Sequence, residues 1–178
     1  MKQFQLKFID VMVGVVLSLG FQWWPALNEP WQYLAFVFTY LSLIDYWIDY
    51  NPVAKKYALR LEIDVIIHTV IIFSMFLLIF ATQKSLPYFL MSFMVYRIAD
   101  ILWLWRIKSE HKILHDDIKF MDTWLFYDAI EAIVAFGFYF LSSYYIFNPI
   151  IILTVFICIR AITRFMSSVK YKKVFYAV

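Results

Sequence analysis

Six apolar stretches divide this chain, and five of them carry a pair of ionisable side chains at helical spacing within their bounds. They run over roughly 8–24, 31–49, 61–81, 87–107, 121–145 and 147–166. A helix that crosses a bilayer needs about 20 apolar residues. The apolar content of 64% and the mean hydropathy of +0.73 are too high for an ordinary water-soluble domain. The chain therefore reads as an all-α, polytopic membrane protein. The expected organisation is a single six-helix transmembrane domain over 1–168, followed by a basic and aromatic tail over 169–178.

Proline and asparagine mark the borders. Asn148-Pro149 is a tight turn between the last two stretches, and Pro25, Pro30 and Pro87 stand at segment ends. Phe21-Gln22-Trp23-Trp24 offers no small-residue cleavage site, so the first stretch is expected to stay as a helix. The aromatic share of 22% suits belts at the two membrane interfaces.

Basic residues set the orientation. Lys2 and Lys7 precede the first span. Lys55, Lys56 and Arg60 follow the second, Lys108, Lys112 and Lys119 follow the fourth, and Lys170, Lys172 and Lys173 follow the sixth. The other connections carry only Lys84. Positive charge stays on the cytoplasmic side, which places both termini in the cytoplasm of a multi-pass cell-membrane protein. The net charge of +3 is spread over these ends, which argues against a nucleic-acid surface. Cys158 is the only cysteine, so there is no disulfide framework and no thiolate metal site. His111 and His115 have a spacing that can hold zinc on a helix, but three lysines nearby and no further fixed ligand favour a solvated cytoplasmic segment. No metal or cofactor is expected, and no phosphate loop, HExxH or Asp-rich phosphotransfer motif marks an enzyme.

The ionisable residues inside the spans come in pairs at helical spacing. Asp45/Asp49, Asp64/His68 and Arg160/Arg164 are four apart, and Arg97/Asp100 and Asp128/Glu131 are three apart. Each pair shares a helix face. A charge facing acyl chains costs at least ~2.5–3.5 kcal/mol, so these faces should turn inward and pair. Asp10, Gly14 and Ser18 recur every four residues on the first span, beside Val15. With Asp10 the set holds seven carboxylates against Arg97, Arg160, Arg164 and His68. Such an excess is met by protons, by cations or by water.

The first three spans resemble the TMEM175-type potassium channel family. Its first helix carries an F-S-D-G-V-F-A-I signature, and Phe8-Ile9-Asp10-Val11-Met12-Val13-Gly14-Val15 is the matching run, with Ile9 and Val11 where the family has Ser and Gly. In the second span Thr39-Tyr40 precedes Tyr46-Trp47, and Asp49-Tyr50 stands where histidines are usual. Phe4 occupies the position of the family's arginine. The resemblance covers about the first 80 residues. It implies a homo-tetramer whose first helices line a pore, with the apolar constriction at Val15 and Ser18 a turn farther out.

The leading expectation is a non-enzymatic, potassium-like cation channel or another ion-conducting membrane protein. Asp10 would concentrate inorganic cations at the inner mouth, and the pathway would pass Gly14, Val15 and Ser18. Two alternatives stay open. One is a proton- or cation-coupled transporter that uses the intramembrane carboxylates, His68 and the arginines as a relay. The other is a non-catalytic membrane subunit or sensor.

Overall fold

The computed structural model describes residues 2–57, 62–145 and 147–175. Six helices follow one another: α1 (Lys2–Gly20), α2 (Pro30–Lys56), α3 (Glu62–Ala81), α4 (Leu86–Glu110), α5 (His115–Tyr144) and α6 (Pro149–Phe175). No strand occurs among the described residues. Among the described residues four windows are long and apolar enough to cross a membrane: Ile9–Ala26, Leu86–Glu110, Asp117–Tyr144 and Pro149–Lys170. The chain is a membrane protein by that measure. α3 is apolar over the shorter run Val65–Ala81. α2 is 27 residues long but carries Asp45 and Asp49 in its C-terminal half.

Local chemistry explains the helix ends. Pro30 opens α2, where its missing N–H would have had no partner. The Gln32 side-chain oxygen accepts from the backbone N–H groups of Asn28 (2.7 Å) and Glu29 (3.0 Å), which fixes the entry. Pro149 opens α6 in the same way, and the Asn148 carboxamide oxygen caps it by accepting from Ile150 N–H at 3.1 Å. α1 does not run straight on to 24. It stops at Gly20 and tightens into a 3-10 turn over Phe21–Ala26, which contains Pro25. α5 begins at His115, six residues before the apolar stretch. Its first turns are polar yet buried on one side, at Asp117 and Phe120. α6 continues unbroken to Phe175, so the basic and aromatic segment from 169 is helical that far.

α4 is the most enclosed span: more than half of it is buried. It packs chiefly on α5 and α3, α5 packs on α6, and α2 and α6 meet across the bundle. Phe38 of α2, Phe93 of α4 and Phe156 of α6 form one aromatic layer, with centroids 5.1 to 5.9 Å apart. Farther along, Tyr46 and Tyr50 of α2 meet Trp103 of α4, and Tyr46 also meets Trp124 of α5. On α4, Arg97 and Asp100 fall between Phe93 and Trp103, the members that this helix gives to the two layers.

Gly20 permits the close approach of α1, α2 and α3. A Cβ there would stand 2.6 Å from the Tyr40 hydroxyl and 3.0 Å from Ile79. That hydroxyl donates to the Leu17 carbonyl at 2.5 Å, and its ring is stacked on Phe36. Gly20→Ala is therefore expected to destabilise the protein by about 1–3 kcal/mol, the usual cost of overpacking. Gly137→Ala, at a position with open space, should be neutral or mildly stabilising because alanine favours helix. Thermal unfolding of the two purified variants in detergent checks the contrast. Equal melting temperatures would contradict the close packing at Gly20.

Candidate functional site

The arginine of α4 organises the charged layer. Arg97 is buried, with its guanidinium carbon 5.0 Å from the ring centroids of both Phe93 and Tyr96. Its Nη1 reaches Asp128 at 3.2 Å and Asp100, one turn along α4, at 3.7 Å. Its Nε lies 2.9 Å from Glu131. One guanidinium thus serves three carboxylates that are all within 3% of complete burial. The planar fork of arginine suits this better than a lysine ammonium, which is a single compact charge.

The network then passes to α6 and α2. Arg160 meets Glu131 at 3.0 Å and Asp45 at 3.5 Å. Arg164 donates to Asp45 from Nη2 at 2.6 Å and from Nε at 3.0 Å, and meets Asp49 at 2.5 Å. The chain of contacts runs from Asp100 through Arg97, Glu131, Arg160 and Asp45 to Arg164 and Asp49. It is closed to solvent at the Asp100 end and opens at Asp45, whose side chain is one-third exposed. The pairs lie about halfway along α4, α5 and α6. A cavity of about 20 Å3 sits among them, which is room for one water molecule. Asp100 Oδ1, Asp128 Oδ2 and Arg97 Nη2 are buried and have no hydrogen-bond partner among the described residues. The cavity lining includes Arg97 and Asp128, so a water there would answer part of that deficit.

Three arginines face five carboxylates in this layer, an excess of two negative charges if all are ionised. Burying such an excess is costly, so the layer requires a proton, a cation or water to be complete. Among the described residues no group of three or more His, Cys, Asp or Glu is arranged to hold a metal ion. His111 caps the end of α4 and His115 starts α5, so the two do not share one helix face.

The pairs expected from helical spacing separate into two groups. Asp45, Asp49, Arg97, Asp100, Asp128, Glu131, Arg160 and Arg164 are joined in one network. His68 is buried elsewhere, with its Nε2 3.3 Å from the Tyr50 hydroxyl and its ring edge-on to the Tyr50 ring. The side chain of Asp64 lies outside the described set. Four contributors carry no formal charge and were not singled out by the charge pattern. Thr163 donates to Glu131 at 2.8 Å, and Trp124 Nε1 donates to Asp100 at 3.1 Å. Trp47 Nε1 donates to Asp10 at 2.9 Å, and Ser167 lines the cavity. A signal for two of them exists in the spacing: Trp124, Asp128 and Glu131 stand at i, i+4 and i+7, as do Arg160, Arg164 and Ser167.

α1 presents its polar stripe outward. Ile9, Val13 and Val16 are buried against the bundle, while Asp10, Gly14, Val15 and Ser18 are exposed, Val15 by 40%. A Cβ on Gly14 would meet nothing within 4 Å among the described residues. The described residues of the chain leave this stripe uncovered.

A second polar junction lies where α2 ends. The Tyr57 hydroxyl donates to Asp117 and accepts from Leu114 N–H at 3.3 Å, and Lys56 pairs with Asp117 at 2.6 Å. Burial, and then the Asp117 hydrogen bond, push the Tyr57 hydroxyl up to about 12, so it stays a neutral donor at physiological pH. This junction ties the end of α2 to the start of α5. No protein-family model, curated protein or solved structure matches the chain.

Proposed function

We propose that the protein is a cation-conducting channel of the cell membrane, with six spans and both termini in the cytoplasm. It works as a homo-oligomer in which the α1 faces surround a shared axis. The observation that carries this reading is the outward stripe of Asp10, Gly14 and Ser18 on α1, flanked by Val15. A carboxylate and a hydroxyl on a membrane helix are costly against lipid, whereas they are at home along a water-filled path between subunits. Asp10, held by Trp47, would gather cations at the inner mouth, and Val15 would form an apolar ring that gates by dewetting. The resemblance of the first three spans to potassium channels points the same way and suggests a tetramer. On this reading the arginine network is the rigid support that holds α2, and through it Trp47 and Asp10, at the mouth.

Gly14→Leu tests the proposal. A Cβ there meets nothing within 4 Å among the described residues and the position is exposed, so the variant should fold with an unchanged melting temperature. In proteoliposomes it should lose cation flux, because four added isobutyl groups would close a narrow axis. Flux of potassium, sodium and protons is compared for both forms, together with the oligomeric mass in detergent. A Gly14→Leu protein that assembles and conducts like the parent would sink the channel reading.

A coupled transporter is the second reading. The excess of two carboxylates beside a water-sized cavity favours it, since that layer could load and release a proton or cation within one protomer. Uptake driven by a pH gradient and abolished by Asp128→Asn would support it.

A further inference from the structure

A second concavity lies apart from the arginine network, where α5 begins and α6 ends. It is a groove of about 470 Å3. Its floor is apolar. Ile118 and Phe126 stand on one stripe of α5 and are 37% and 58% exposed. Its rim is basic, with Lys119 from α5, Lys170 from α6 and His115 in the first turn of α5. The Lys170 ammonium sits 5.3 Å from the centre of the Tyr127 ring, which holds it near the groove. Among the described residues neither Lys119 nor Lys170 meets a carboxylate. The one carboxylate in the lining, Asp122, is already paired with Lys108.

The position of the groove matters as much as its lining. The apolar windows of α5 and α6 start at Asp117 and end at Lys170. The groove therefore sits where both helices leave the hydrocarbon, on the lysine-rich side of the bundle. From Lys119 to Phe126 is seven residues, or about 10 Å along the helix axis. A ligand that fills this site has a compact anion at one end and a hydrocarbon chain at the other. A free phosphate would leave Ile118 and Phe126 uncovered, and a soluble acidic peptide would find half the groove in lipid.

We propose that this groove binds an anionic phospholipid. Lys119 and Lys170 clasp the headgroup phosphate, His115 borders it, and an acyl chain lies along Ile118 and Phe126. The site is independent of ion conduction and rests only on the chain spanning a membrane.

Native mass spectrometry of the detergent-purified protein tests this with phosphatidylglycerol and phosphatidylcholine of identical acyl chains. The parent protein should retain phosphatidylglycerol in preference to phosphatidylcholine. Each surface base near anionic lipid is worth roughly a fivefold change in affinity, so the double variant Lys119→Gln/Lys170→Gln should bind phosphatidylglycerol on the order of 10- to 30-fold more weakly. Lys112→Gln, on the connection outside the groove, should leave binding unchanged. Asp122→Asn should tighten it by roughly fivefold, because a negative charge leaves the lining. That gain cannot arise from misfolding. Equal retention of the two lipids overturns the proposal, and so does undiminished binding by the double variant or an equal loss in Lys112→Gln. Displacement of the lipid by excess inorganic phosphate would overturn the lipid as its ligand.

Discussion

Replacing Arg97 by alanine is expected to lower the detergent melting temperature by on the order of 10 °C, while Arg106→Ala changes it little. Arg97 is the only base in contact with both Asp100 and Asp128 among the described residues, and it shares Glu131 with Arg160. Its removal strands buried carboxylates, and breaking a buried pair in that way costs about 3–5 kcal/mol. For a chain of this size each kcal/mol corresponds to roughly 2–4 °C. Arg106 pairs with Glu110 near the end of α4, and its side chain is one-quarter exposed, so water replaces the lost contact. Thermal melts of both variants in one detergent give the comparison. Comparable melting temperatures would show that the charged layer contributes no net support to the bundle. Asp45→Asn should fall between the two, since Asp45 is one-third exposed and Arg164 retains Asp49.

Val15→Asn is expected to raise cation flux about tenfold, which corresponds to removing ~1.4 kcal/mol of barrier. An apolar ring resists wetting, and a carboxamide supplies donors and acceptors that hold water in the constriction. Val15 is 40% exposed in the protomer, so the substitution leaves no buried amide unsatisfied within it, and yield should be preserved. This separates a pore from a packing surface. Asp10→Asn should act in the opposite direction, lowering cation flux, and more at low ionic strength than at high. The Asp10 carboxylate is exposed, so salt already screens its field at high concentration. Flux that is unchanged in Val15→Asn, or an Asp10→Asn effect independent of salt, would place the conducting path away from α1. The experiment compares tracer or dye-reported potassium flux in vesicles at two ionic strengths.

Much of this molecule was legible from residue order alone. Apolar runs of membrane length, closed by Pro30, Pro87 and Asn148-Pro149, locate six helices, because hydrophobicity and the missing proline N–H act locally. The same local geometry assigns charges to faces: side chains three or four apart on a helix must be neighbours, whatever the rest of the chain does. That is why Arg97 and Asp100, Asp128 and Glu131, and Arg160 and Arg164 could be grouped in advance. The start of α5 at His115 was not legible, since its polar first turns are covered only through Tyr57 and Lys56 of the α2 end, which hold Asp117.

Which face meets which was decided by the tertiary structure. Helical period fixes where a side chain points relative to its own axis, but partners come from the packing of helices distant in sequence. Asp45 could have answered Arg97, yet α2 lies beside α6 and it pairs with Arg160 and Arg164 instead. His68 carries a charge-compatible spacing, yet α3 directs it to Tyr50 and Trp103. Thr163 and Trp124 entered the network because each stands one turn or less from a charged residue on a face already turned inward. The outward stripe of α1 shows the same division of causes. Its residues were readable as one face from a four-residue repeat. That the face stays uncovered follows from Ile9, Val13 and Val16 taking the contacts with the bundle, because a helix that buries one side must leave the other free.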